Sequence, residues 1–154
     1  MTRDLGSSLL LKEAGLRPTT IRERVLSTLL SAGLALSHRE LVDRLAGLDR
    51  VSVFRSLKLL KKGGLIHEVR SVDGIVRFVV NPEDKAVCPG CHPHFLCLDC
   101  GRMSCLVEQR LPYVAVPEGS EVRGKQFLVY GLCPGCAAAK KGLPPSPSLP
   151  GAKE

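Results

Sequence analysis

The sequence predicts an α+β protein, an N-terminal winged helix-turn-helix followed by a small domain that contains zinc. Three observations predict it. Up to Lys62, apolar residues recur at helical spacing in short, capped segments. Two alternating apolar runs then meet around Asp73-Gly74 as a hairpin. Further on, Cys97-Leu-Asp-Cys100 and Cys133-Pro-Gly-Cys136 supply four thiolates, the donor set of a closed tetrahedral zinc site.

The first segment, Leu5 to Leu16, carries Leu9, Leu10 and Ala14 on a short helix. Thr19 or Thr20 caps the second, where Ile21, Val25, Leu26, Leu29 and Leu30 form the apolar stripe and Gly33 the stop. Ser37-His-Arg-Glu40 has the spacing of a capping box, and Leu41, Leu45 and Leu48 follow on one face. A fourth helix, Val51 to Lys62, starts from Asp49 or Ser52, buries Val53, Leu57 and Leu60, and stops at Gly63-Gly64. The hairpin joins Leu65–Val69 to Ile75–Val80. Short helices followed by a hairpin make the helix before the wing the recognition helix. Its polar side bears Arg50, Ser52, Arg55, Lys58, Lys61 and Lys62, cations able to meet phosphates on both walls of a major groove. Phe54 beside them either touches a thymine methyl or belongs to the core.

A linker at 82–87 separates a winged-helix domain at 1–81 from a metal-binding domain at 88–139. Strands are expected at His94–Leu98, Met103–Val107 and Glu121–Tyr130, while Pro112 and Pro117 break any long helix between them. The proline-rich stretch 140–154 reads as a disordered tail. His92-Pro-His94 sets two imidazoles on one face of a strand, and four thiolates already complete a tetrahedron, so these histidines are free to serve a second ion.

The net charge of +7 is unevenly placed: 14 Lys/Arg face 8 Asp/Glu in residues 1–81, and 8 face 7 thereafter. A basic half joined to a cysteine-rich one suggests a polyanion reader with a metal module. All seven cysteines lie between 88 and 136. No apolar leader follows Met1-Thr-Arg-Asp and no apolar run approaches a bilayer span, so the expected setting is a reducing cytoplasm with metal-bound thiolates and no membrane. An enzyme is not expected. A zinc deaminase needs His-x-Glu ahead of Pro-Cys-x-x-Cys, His92-Pro-His94 offers no such glutamate, and four thiolates leave no open coordination position.

Gly15-Leu-Arg17-Pro-Thr-Thr-Ile-Arg22, Val51-Ser-Val-Phe-Arg55-Ser-Leu, Gly64-Leu-Ile-His67, His92-x-His94-x-x-Cys97-x-x-Cys100-Gly101 and Tyr130-Gly-x-Cys133-x-x-Cys136 occur in that order. The series resembles the ferric uptake regulator (Fur) family of metal-dependent repressors, with a ligand pattern most like the zinc uptake regulators. The resemblance implies a transcriptional repressor of metal-uptake genes with a C-terminal α/β dimerisation domain. It also implies a homodimer that binds a double-stranded, A·T-rich operator when loaded with metal. Cys97, Cys100, Cys133 and Cys136 match the structural Zn²⁺ site. Arg17 matches a residue that enters the minor groove, and Phe54 stands where the family usually has Tyr, with Arg55 as its partner. Arg22, Ser52 and Lys58 complete the expected DNA-binding set.

For a second, regulatory divalent metal the resemblance points to His67, His92 and His94, with Cys88 or Cys91 a few residues ahead of the histidine pair. Ala35, Val79 and Cys105 stand where iron sensors carry a His, a wing Glu and a further Glu. A shell of His with one or two Cys, Cys105 among the candidates, favours Zn²⁺ over Fe²⁺ or Mn²⁺, which prefer carboxylates. The alternative is an iron-, peroxide- or redox-responsive regulator of the same family, using Cys105 or Cys88/Cys91.

Overall fold

The computed structural model describes residues 4–81, 92–109, 111–122 and 125–141. Helix α1 (Asp4–Glu13) ends earlier than its apolar content suggests, and Gly15 follows at φ 70°. It buries Leu11 against α2 with Leu10 packed beside it, whereas Leu9 is exposed. Helix α2 (Thr20–Ala32) starts from Thr19, whose hydroxyl accepts the Arg22 N–H, and stops where Gly33 adopts φ 59°. Its buried residues are Val25, Leu26 and Leu29, while Leu30 is exposed.

The capping box forms. Ser37 Oγ accepts the Glu40 N–H at 3.2 Å, the Glu40 carboxylate accepts the Ser37 N–H at 2.7 Å, and α3 (His38–Arg44) follows. Helix α4 (Arg50–Lys62) is capped by Asp49, which accepts the Ser52 N–H at 2.9 Å, and buries Val53, Leu57 and Leu60. A short strand β1 (Leu36–Ser37) joins β2 (Ile66–Arg70) and β3 (Val76–Val80) in an antiparallel sheet of order β1-β3-β2. Two residues show no alternation, which is why β1 escapes a sequence reading. One core, from Leu11 through Leu26, Leu41 and Leu57 to Phe78, holds these elements together.

The second sheet has the order β5-β4-β6, with β4 (His94–Cys97) antiparallel to β5 (Met103–Cys105) and parallel to β6 (Leu128–Gly131). The expected third strand shortens to β6: Phe127 is the first residue to bond β4, through its carbonyl to the His94 N–H at 3.0 Å, and Val122 is exposed. Residues 111–122 take neither helix nor strand, as their prolines lead one to expect. Helix α5 (Pro134–Lys141) runs past the expected start of the tail; Pro134 suits its first turn because no helical N–H is needed there. The linker 82–87, Cys88, Cys91 and residues 142–154 lie outside the described residues. A second apolar cluster of Ala35, Val69, Val79, Leu96 and Met103 joins the two sheets. Among the described residues, no helix is long and apolar enough to cross a membrane.

Candidate metal centres and nucleic-acid interface

Cys97 closes β4, Cys100 lies in the turn toward β5, Cys133 precedes α5 and Cys136 lies in its first turn. Their four sulfurs all lie within 4.8 Å of one another. Cys100 Sγ and Cys133 Sγ are 4.0 Å apart, near the edge of about 3.8 Å that a tetrahedron with metal–sulfur bonds of about 2.3 Å would have. Backbone N–H groups of Cys100 and Cys133 point at the Cys97 sulfur and hold its thiol down to about 6, toward the thiolate that binds metal. The Cys136 thiol is pushed up instead, first by its hydrogen bond with Cys133. Thiols packed this closely share protons that a divalent cation would replace. The Lys140 ammonium bonds Asp99 at 2.8 Å, pinning α5 over the first Cys-x-x-Cys turn.

The second cluster spans the two sheets. His67 of β2, His92 just ahead of β4 and His94 at its start are all buried, and one nitrogen from each ring lies within 4.8 Å of the others. His67 Nε2 is 3.4 Å from His94 Nε2, close to the nitrogen–nitrogen edge of about 3.3 Å expected around zinc. Burial lowers the pKa of all three. For His67 it outweighs the opposing bond to Asn81; at His92 the charge of His67 adds to it; His94, beside both, falls to about 4. The rings are therefore neutral near pH 7, the form in which imidazole binds metal. Among the described residues no carboxylate or thiol belongs to this cluster. His94 Nδ1 is buried without a hydrogen-bond partner among those residues. Three buried, neutral nitrogen donors fit a divalent cation.

Asn81, the residue after β3, orients His67. Its side-chain N–H donates to the Gly64 carbonyl at 2.6 Å and its oxygen accepts from His67 Nδ1 at 2.5 Å. Cys105 stands across the strand pair from His94 yet outside the cluster, and burial pushes its thiol up to about 11. Ala35 and Val79 are buried and apolar, so neither supplies a donor. Cys88 and Cys91 lie outside the described residues.

On α4, Phe54 is 44 % exposed and therefore not core. Lys58 Nζ sits 4.7 Å over its ring and the His38 ring meets it edge-on at 5.8 Å. Arg55 and Lys58 are exposed beside it, while Ser52 is half-buried with its N–H engaged by the Asp49 cap. Arg17 is exposed, and Arg22 donates to its carbonyl at 2.6 Å, so Arg22 braces the backbone that presents Arg17. His38 Nε2 donates to the Arg50 carbonyl at 3.0 Å, joining α3 to the start of α4. The wing turn is held by Arg77, whose side chain is 4 % exposed and bonds Asp73 at 2.8 Å and Ser71 at 2.6 Å. The guanidinium holds the Asp73 carboxyl well below the usual carboxylate range. Strand alternation alone gave no sign of that burial.

The model of the ferric uptake regulator family matches residues 13–116 of this chain. A ferric uptake regulation protein of Synechococcus elongatus is 26% identical over 136 residues, covering 82% of this chain and 89% of that protein. The crystal structure of the Vibrio cholerae ferric uptake regulator superposes with a TM-score of 0.62 at 24% identity, over 82% of this chain and 98% of its own. A zinc uptake regulator complexed with zinc and DNA gives a TM-score of 0.66 at 19% identity, over 92% of this chain and 99% of its own. The structural likenesses show a shared fold.

Proposed function

The chain belongs to the ferric uptake regulator family, whose members are metal-dependent, DNA-binding transcription regulators, and we propose that it is a repressor that senses zinc through His67, His92 and His94. One observation carries the choice of metal: three buried imidazoles gather with no carboxylate among the described residues. Nitrogen donors of this kind suit Zn²⁺ better than Fe²⁺ or Mn²⁺. Cys97, Cys100, Cys133 and Cys136 are the proposed structural zinc ligands.

A divalent ion bound by the three histidines would supply bonds linking β2 of the wing to β4 of the second sheet. The chain's own residues prepare that link. Asn81 keeps the proton on His67 Nδ1, which leaves Nε2 facing His94. Burial keeps the imidazoles unprotonated. Tightening the wing against the second sheet narrows the directions in which α4 points, and the free energy of that link is the coupling between metal and DNA. In the bound complex Arg55 and Lys58 meet the major groove, Phe54 offers an apolar ring to a thymine methyl, and Arg17 reaches the adjoining minor groove.

The proposed partners are a double-stranded operator controlling metal-uptake genes and a second copy of this chain. Strand β6 is an edge of its sheet and leaves Val129 and Tyr130 exposed, with Phe127 beside them, which supports pairing of two copies there. The proposed domains are 1–81 and 88–139, acting in the cytoplasm without catalysis. The half-buried position of Cys105 and its raised pKa speak against that thiol as a peroxide sensor.

The test uses a DNA fragment selected from a random pool by the zinc-loaded protein. Its affinity is measured with zinc and after mild chelation that spares the four-cysteine ion. Zinc-dependent binding that is lost in His92→Ala is expected; equal affinity with and without zinc would overturn the sensing claim.

A further inference from the structure

The two sheets are joined by more than the histidine cluster. Along β2, alternate residues share a face, so Val69 lies beside His67; along β4, Leu96 lies beside His94 in the same way. Val69 and Leu96 meet Ala35, Val79 and Met103 in an apolar cluster whose five members are each less than a tenth exposed. Three of the five come from the winged-helix elements and two from the second sheet. A backbone hydrogen bond crosses the same junction, from the Ala35 N–H to the Met103 carbonyl at 3.3 Å. At the far end of β2, Arg70 has both its N–H and its C=O engaged by the side-chain amide of Gln126. The amide oxygen accepts the N–H at 3.2 Å and the amide nitrogen donates to the carbonyl. A glutamine side chain thus does for the edge of β2 what a neighbouring strand would do.

We propose that Met103 and Gln126 are positioning residues of a metal-independent clasp, which keeps the wing docked on the second sheet when the histidine cluster holds no ion. Apolar burial needs no cation, and the five side chains occupy the strand faces that the histidines continue. Withdrawal of the regulatory metal therefore frees one corner of the junction and leaves the rest closed. The signal grades DNA affinity from a nonzero floor.

Amide hydrogen exchange reads the clasp directly, because the Ala35 and Arg70 N–H groups both donate to atoms of the second half. The full chain is measured after mild chelation that leaves the four-cysteine ion in place. Both amides should stay protected, within about threefold of the zinc-loaded protein. Met103→Ala should speed exchange at Ala35, and Gln126→Ala at Arg70, each by about tenfold or more. Exchange of both amides at free-peptide rates in the chelated wild type, with Leu57 of α4 still protected, would overturn the proposal. Met103 is fully buried and its truncation could unfold the second sheet; Gln126 is exposed, so its variant decides. Unchanged exchange at Arg70 in Gln126→Ala would also overturn the clasp. A DNA readout separates positioning from mere stability: Gln126→Ala should keep zinc-loaded affinity within about twofold and lower the affinity of the chelated protein about fivefold. If zinc proves not to bind the histidines, adding it changes none of these rates, and the comparison of wild type with the variants still judges the clasp.

Discussion

Asn81→Ala probes how the histidine cluster is kept ready for metal. The Gly64 carbonyl only accepts, so the Asn81 amide nitrogen must face it at 2.6 Å, and the amide oxygen must face His67. His67 therefore donates from Nδ1 at 2.5 Å, and its Nε2 lone pair is left for the cluster, 3.4 Å from His94 Nε2. Removing the amide frees the ring to change tautomer and orientation. Loss of such a supporting partner lowers metal affinity about 10–100-fold, or about 1.4–2.8 kcal/mol. Asn81→Asp keeps an acceptor for Nδ1 and should bind zinc nearly as the wild type does. It forfeits the donor to Gly64, which costs about 1–2 kcal/mol of folding stability. Competition against a chromophoric zinc chelator near neutral pH measures the first effect and thermal melting the second. A folded Asn81→Ala protein within twofold of wild-type zinc affinity would refute the reasoning, as would Asn81→Asp binding more weakly than Asn81→Ala.

Cys97→Ser should lose one zinc per chain and unfold the second sheet, since a structural zinc site contributes its binding free energy to folding; metal analysis with circular dichroism checks both. Asp73→Asn leaves the Arg77 guanidinium, 4 % exposed, without its charge partner. A fully buried pair would cost about 3–5 kcal/mol to break, and partial exposure of Asp73 brings the figure to about 2 kcal/mol. Because the folded pKa of Asp73 is depressed, its contribution is complete above the unfolded value of about 3.9 and fades as pH falls below it. Wild-type and Asp73→Asn melting curves should accordingly differ at pH 7 and draw together in acid. On DNA, Arg55→Ala should cost about 1–3 kcal/mol and blunt sequence preference, whereas Lys58→Ala should lower the salt slope by about one, both read by fluorescence anisotropy. Cys105, with its thiol near 11 against an ordinary 9.0, should alkylate about 100-fold more slowly than a free cysteine, and mass spectrometry counts it.

What could be read in the sequence is what local chemistry decides. The Thr19, Ser37 and Asp49 caps and the Gly33 stop act within one turn, and they formed where expected. The Cys-x-x-Cys pairs carry their own spacing and come together. His67 entered only through the family resemblance, because its partners lie 25 and 27 positions away along the chain. Asn81 and Arg77 were not legible at all: one acts across from the β2–β3 pairing and the other beneath the wing turn, so only strand register reveals them. Phe54 is ambiguous in the sequence because a mid-helix aromatic suits core and surface alike, and its exposure excludes the core. Spacing within the short helix α1 does not decide which of its adjacent leucines is buried; packing in the bundle selects Leu11 and leaves Leu9 exposed.

His67, His92 and His94 are proposed to hold a removable ion distinct from the one at the four cysteines. The most direct measurement is metal per chain by native mass spectrometry, before and after mild chelation, on wild type and His92→Ala. Two zinc ions are expected in the loaded wild type, one of them lost to the chelator, and only the retained one in His92→Ala. A single zinc per chain that neither chelation nor His92→Ala alters would contradict the proposal.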